Sequence, residues 1–371
     1  MPSEIEIKTE RLTYVIRSHG LGGLLLNGQH NFAWITGGAD NGVDQSRENG
    51  VASVLVTAAG KRFLLANKIE MPRMLDEQVS AADFAPVDFG WQEEKASGQF
   101  LIGLSIDLAG SAQIGTDIPI APSAPPLDSS IAQQRASLTT DEVERFRSLG
   151  HDAGIALSDT IKKIRADQTE REIASAMRSE LDRYNIRSIV SLVAADDRIA
   201  KYRHPLPTAH RFTRTVMLVA CARRGGLIAS LTRIATIGKA SDELIEKTTA
   251  AAFVNASLWH ATREGTEGRE LYTIAAEAYA KVGHAEEIDK HHQGGAAGYR
   301  TRDWVAHPEC VDQVQANQAF AWNPSITGTK VEETVIAAGG QCEVITASPG
   351  WPTITHTIDG VEYHSPGILE I

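Results

Sequence analysis

The sequence holds only three cysteines in 371 residues: Cys221, Cys310 and Cys342. They are far apart and form no CxxC pair, so neither a disulfide framework nor a thiolate zinc site is indicated. A reducing, cytoplasmic setting is expected. No apolar run approaches the ~18 residues needed to span a bilayer. The first residues, Met1-Pro2-Ser3-Glu4-Ile5-Glu6, are acidic and lack the apolar segment of a signal peptide. Positive charge is also short, with 36 Lys and Arg against 47 Asp and Glu and a net charge of −11. Such a chain is not expected to bind nucleic acid or an anionic membrane, because nothing offsets phosphate repulsion. What remains is ordinary globular material, 42% apolar and 22% charged. Its length suggests two domains, at roughly 100–200 residues each.

Residues 1–130 read as a small α/β domain. The run Leu24-Leu25-Leu26 after Gly22-Gly23 signals a buried strand. Residues 51–57 and 62–65 around Gly60 read as a hairpin, and a further strand is expected near 100–106. Asn31-Phe32-Ala33-Trp34 reads as core aromatics leading into a loop. The proline-rich run 118–126 is the best connector. Beyond it, 131–371 form a second domain. Thr139 with Glu142, and Thr169 with Glu172, match capping boxes that open two amphipathic helices. Residues 188–194 read as a strand, and 202–208, with two prolines, as a loop. Residues 214–222 and 227–234 form a hairpin around Gly225-Gly226. Helices follow at 241–261 and 268–281, then paired strands at 319–322 and 331–337.

The densest chemistry lies in His291-His292-Gln293-Gly294-Gly295-Ala296-Ala297-Gly298-Tyr299-Arg300-Thr301-Arg302. Glycines let backbone approach a ligand closely. Histidines serve as ligand, acid or base, and arginines grip carboxylates in a fork. The same stretch also reads as a glycine-rich surface turn with solvated charges.

The order of elements resembles the creatinase/prolidase/methionine-aminopeptidase superfamily, the pita-bread hydrolases of peptidase family M24. Residues 138–147 resemble the entry helix of the C-terminal domain, and 166–170 its turn. His204-Pro205 resembles the catalytic histidine loop, and Leu231-Thr232-Arg233 the end of a metal-binding strand. His292-x-x-Gly295 resembles the metal-histidine loop, and residues 330–334 the last metal-glutamate strand. The resemblance implies an α+β fold of two domains. The first is a small α/β domain of the creatinase N-terminal, ribonuclease-H-like type, and the second a pita-bread domain. It also implies a homodimer with the active site near the subunit interface. Phe32, Trp34, Glu70 and Arg73 are the small-domain residues expected to cover a neighbour's site.

The departures from the family pattern carry the functional expectation. Peptidases of the superfamily hold two metals with two Asp, one His and two Glu. Here the Asp positions fall on Val219 and Ser230 and the first Glu on Asn323, leaving His292 and Glu332. So reduced a set is too weak for two tightly held ions, and no metal or other cofactor is expected. Creatinase shares the fold without metal. Likeness to it implies a metal-independent hydrolase of a C–N bond in a small guanidino, ureido or amide compound. His204 would be the proton shuttle, with His292 and Glu332 at the reacting centre. Arg302, Ser230, Asn323 and Tyr299 would bind substrate. A glutamate of creatinase falls on Thr232, which puts creatine itself in question. His291 stands as an alternative to His292, and Cys221 as an inert core residue. The competing readings are an Xaa-Pro dipeptidase that keeps metal and an inactive pita-bread binding protein.

Overall fold

The computed structural model describes residues 2–371, which divide into two compact units with the boundary between Arg135 and Ala136. The first unit contains α1 (Glu4–Ser18), β1 (Gly23–Gly28), α2 (Gln29–Ile35), β2 (Asn49–Thr57), β3 (Arg62–Asn67), β4 (Ala85–Phe89), α3 (Phe100–Ala109) and β5 (Ile114–Thr116), and α4 (Asp128–Ala136) runs to its end. Its sheet is ordered β4-β3-β2-β1-β5, with parallel pairs only at the two edges. The expected hairpin is β2–β3, with Val54 opposite Leu64.

Two expectations for this unit are corrected. Residues 100–106 are helical, in α3, not a strand. A ten-residue apolar segment carries no period that separates helix from strand, and here Gly110 closes the helix in the left-handed conformation, at φ +63°. Phe32 and Trp34 lie on α2 and are wholly buried, so they cover no neighbour. Glu70 and Arg73 pair with each other at 3.2 Å.

The second unit opens with α5 (Thr140–Lys163) and α6 (Glu170–Asp182). Both capping boxes form: Thr139 and Thr169 each receive the N–H of a glutamate three residues on, and that glutamate's side chain receives theirs. Next come β6 (Arg187–Ala195), β7 (Thr215–Arg224) and β8 (Leu227–Thr236), then α7 (Asp242–Ala261) and α8 (Gly268–Lys281). The remainder is strand: β9 (Gly294–Ala297), β10 (Trp304–Val305), β11 (Gln318–Trp322), β12 (Ser325–Ile326), β13 (Thr329–Lys330), β14 (Glu333–Ala338), β15 (Gln341–Val344), β16 (Thr353–Ile358), β17 (Val361–Pro366) and β18 (Ile368–Glu370). Two sheets dominate, β18-β8-β7-β6 and β10-β9-β11-β14-β15. An apolar core joins α7 and α8 to the second sheet through Trp259, Leu271, Tyr279, Phe320, Trp322 and Val335.

The two sheets are sewn together where β8 passes the start of β14. Ser230 N–H donates to Thr334 Oγ1 at 2.7 Å, and that hydroxyl donates back to Ser230 O at 2.9 Å. Thr232 N–H donates to Glu332 O at 3.1 Å. This seam fixes the backbone on which the candidate site is built.

The glycine-rich stretch is also not what its composition suggests. Gly294 and Gly295 are buried in β9, the middle of a sheet, rather than in a ligand loop. A Cβ on Gly294 would meet Ala321 O at 2.1 Å, and one on Gly295 would meet Trp304 O at 2.1 Å. These glycines admit neighbouring strands. Gly295→Ala is therefore expected to destabilise the protein by about 1–3 kcal/mol, as overpacking does, although position 295 itself makes no site contact. The urea midpoint measures this, and an unchanged midpoint would show that the strands can part at no cost.

Candidate active site

Two loops bring three histidines together. His204 lies between β6 and β7, and His291 and His292 precede β9. His291 Nε2 is 3.1 Å from His204 Nε2, and the His291 and His292 rings stack at 4.5 Å. One ring nitrogen of each histidine lies within 4.8 Å of the others. Both histidines of the pair therefore belong to the cluster, which settles the choice between them in favour of neither. Burial depresses all three pKa values, with Lys330 among the positive charges that add to the effect. His291 falls to about 2 and His292 to about 4, so both imidazoles are neutral at pH 7.

Beside them sits a buried carboxylate. Glu332 accepts a hydrogen bond from Thr232 Oγ1 at 2.6 Å. Lys330 Nζ lies 3.0 Å from its Oε2, and Arg302 Nη2 lies 3.6 Å from its Oε1. Burial alone would raise the Glu332 pKa, but the two cations and the Thr232 hydroxyl outweigh it and hold the pKa below its ordinary value. Lys330 was not among the residues singled out from the sequence. Its signal was there: Lys330 and Glu332 are two apart in extended chain, which puts both side chains on one face.

The other expected site residues are placed as follows. Ser230 is fully buried, and its hydroxyl donates to Cys221 Sγ at 3.3 Å. Burial pushes the Cys221 thiol up, away from the reactive thiolate form. Tyr299 is buried too, and its hydroxyl donates to Glu142 Oε1 at 2.8 Å, so it braces α5 rather than lining the cluster. Asn323 stands across from Glu332, between the Trp322–Glu333 pair and the hydrogen bond from Val331 N–H to Pro324 O. Its buried Oδ1 has no partner, and neither does Arg302 Nε. Arg302 thus faces Glu332 through Nη2, while its Nη1 donates to Thr301 O at 2.6 Å.

The metal pair fits this site poorly. Val219, at the first Asp position, packs in an apolar cluster with Leu192, Met217 and Ile234. Ser230 and Asn323 carry no charge, and Glu332 is already neutralised by Lys330 and Arg302. A dinuclear centre needs several carboxylates to bridge and balance about four positive charges. The histidine cluster offers nitrogens for a single ion, against the field of Lys330, Arg302 and Arg203.

The fold and site define a peptidase-type hydrolase with a small N-terminal α/β domain and a C-terminal pita-bread domain. The sequence profile of metallopeptidase family M24 matches residues 144–347, more than half of the chain, and the chain belongs to that family. Solved structures share the fold over nearly all of it. Dipeptidase PepE from Mycobacterium ulcerans aligns with a TM-score of 0.76 at 16% identity, covering 100% of both chains. An Xaa-Pro dipeptidase from Bacillus anthracis aligns at 0.75 and 19% identity, covering 92% of this chain and 97% of its own. The N-terminal domain of the FACT complex subunit SPT16 from Cicer arietinum aligns at 0.69 and 10%, covering 94% and 97%. No curated protein sequence matches the chain.

A histidine whose folded pKa lies below its unfolded value of about 6.5 contributes stability that is complete above that pH. The contribution is lost as pH falls towards the folded value, because the unfolded chain binds the proton first. For His291, facing His204, His292, Lys330 and Arg203, the window runs from about 6.5 down to about 2. Unfolding free energy should fall by up to roughly 1.4 kcal/mol per pH unit on its account. Chemical denaturation at pH 7, 6 and 5 should give a shallower acid slope for His291→Gln than for the native chain. Parallel slopes would mean that His291 is not held neutral.

Proposed function

We propose that this hydrolase cleaves a C–N bond in a small, dipeptide-sized amide, with His204 as the proton-transfer group and no dinuclear metal centre. The supporting observation is the joint one of Val219 in an apolar cluster and Glu332 ion-paired with Lys330. The names of the solved relatives favour a peptide bond over the guanidino or ureido group that creatinase likeness suggests. In this reading His204 takes a proton from water as its oxygen adds to the carbonyl carbon. It then gives the proton to the leaving nitrogen as the C–N bond breaks, releasing a carboxylic acid and an amine. His291, hydrogen-bonded to His204 and neutral, orients it. His292 lies beside the substrate, Asn323 offers a free acceptor, and Arg302 a free N–H. The homodimer implied by the resemblance is kept in this proposal, with solution mass as its check.

A second reading has specific support: an Xaa-Pro dipeptidase that uses metal. The printed names of relatives favour it, and the three imidazoles within 4.8 Å supply ligand atoms.

Both readings are tested on one sample. Xaa-Pro dipeptides and N-acyl, N-carbamoyl and N-amidino amino acids are screened alongside metal analysis. Turnover that survives a chelator, with no stoichiometric metal, is expected. Co-purifying manganese, zinc or cobalt whose removal abolishes turnover would establish the second reading. His204→Ala should lower kcat by about 10²–10⁴-fold with an unchanged Tm. The acid limb of kcat/KM should lie below about pH 6.5, because burial lowers the His204 pKa.

A further inference from the structure

We propose that Lys330 is the electrophile of this site: its ammonium, with Arg302 behind it, binds the oxygen of the scissile carbonyl and stabilises the oxyanion as water adds. The inference rests on the amide-hydrolase reading. It starts from a charge count. Glu332 carries one negative charge and has two buried cations against it, Lys330 with 5% and Arg302 with 13% of its side chain exposed. The neighbouring carboxylates do not cancel the surplus. Glu333 is paired with Arg233 at 2.9 Å. Glu287 is paired with Arg203 and, at 3.0 Å, with Lys290. The surrounding histidines carry no negative charge. One net positive charge is therefore held in a half-closed, low-dielectric cluster, where it acts more strongly than in water.

The donors are counted in the same way. An ammonium has three N–H groups. Among the described residues Glu332 is the only side chain ion-paired with Lys330, so the ammonium keeps donors for a ligand. Arg302 Nη1 donates to Thr301 O at 2.6 Å, while its Nε is buried with no partner. Asn323, 3% exposed, has a buried and unpartnered Oδ1 next to the same strand. These groups match a tetrahedral adduct that carries an anionic oxygen and an N–H. The lysine is also anchored. Its strand, β13, pairs with Ser325, and Thr232 holds Glu332 from the facing sheet. A fixed charge aimed at a developing oxyanion needs no reorganisation when the reaction occurs, which is the Lewis-acid part that metal ions take in hydrolases generally. The step is balanced without a metal: the oxygen–carbon bond forms, the carbonyl electrons move to an oxygen facing Lys330, and they return as the C–N bond breaks.

The probe is a phosphinic dipeptide isostere, whose tetrahedral anionic oxygens mimic the adduct. Its affinity is measured by calorimetry in the presence of a chelator. The native chain is expected to bind it. Lys330→Met should bind about 10²-fold more weakly and lose about 10²–10³-fold in kcat with little change in KM, while Lys330→Arg retains part of both. Thermal melting establishes that each variant is folded. Should Lys330→Met not fold, Lys330→Gln, which keeps a donor for Glu332 without the charge, is measured in its place. Equal binding by the neutral variant, no binding by the native chain, or binding that requires added zinc or manganese overturns the inference. Lys330-dependent binding with no amide hydrolysed would overturn the hydrolase reading and leave the anion site standing. Hydrolysis that survives loss of Lys330 would do the reverse.

Discussion

The site depends on one buried carboxylate. Glu332 lies inside the protein, where an unpaired charge would cost several kcal/mol. Everything around it follows from meeting that demand. Thr232 donates from β8, while Lys330 approaches from the β12–β13 pair and Arg302 from the loop between β9 and β10. The seam between Ser230, Thr232, Glu332 and Thr334 keeps these donors in register. A chain that replaced the metal-binding aspartates while leaving Glu332 unpaired would hold an uncompensated charge. The fixed cations make a buried Glu332 compatible with a folded protein.

Glu333 shows what the same residue type does one step along the strand. It points the other way, to Arg233, and Thr346 also donates to it. Arg233 is saturated in turn, giving hydrogen bonds to Ser348 Oγ and to the carbonyls of Thr232 and Thr346, and it lies 5.6 Å from the Trp351 ring centre. Burial raises the Glu333 pKa above its ordinary value, Arg233 offsets this only in part, and the neighbouring charge of Glu332 adds to it. Glu332 moves the opposite way because two cations serve one carboxylate. A balanced, fully bonded pair is a strut. An unbalanced pair with free donors is able to interact with something else.

The helices of the second unit were legible because capping boxes and apolar stripes are local signals: Thr139, Glu142, Thr169 and Glu172 sit where the chain needs them. The β7–β8 hairpin was legible from two apolar runs around Gly225-Gly226. Residues 100–109 were not, since a short apolar run lacks a decisive period and only packing selects helix. Gly294 and Gly295 misled for a related reason. Close approach of strand to strand and of backbone to ligand demand the same residue, and sequence does not say which partner arrives. Tyr299 was out of reach because its partner, Glu142, lies far away in sequence on α5. Within the site, the uncharged side chains of Val219, Ser230 and Asn323 are legible in the sequence, and the structure buries all three. The Lys330–Glu332 pairing is spelled out in Lys330-Val331-Glu332, two residues apart in extended chain.

A site that exchanges bound ions for tethered cations changes its chemistry in two linked ways. It keeps a positive charge for the oxyanion but gives up a ready-made nucleophile, because an ammonium does not acidify water as a divalent ion does. A general base must then carry that task. Burial, joined by the same surplus charge that would hold the oxyanion, presses down the pKa values of His204, His291 and His292. A lower pKa keeps His204 unprotonated and available at neutral pH, at some loss of proton affinity. The hydrogen bond between its Nε2 and that of His291 limits that loss by fixing the ring, and the near-absence of charge on His291 spares the cluster a further cation. Electrophile and base are therefore not independent parts: moving Lys330 closer to the histidines would strengthen one while weakening the other, and the ion pair with Glu332 sets the balance between them.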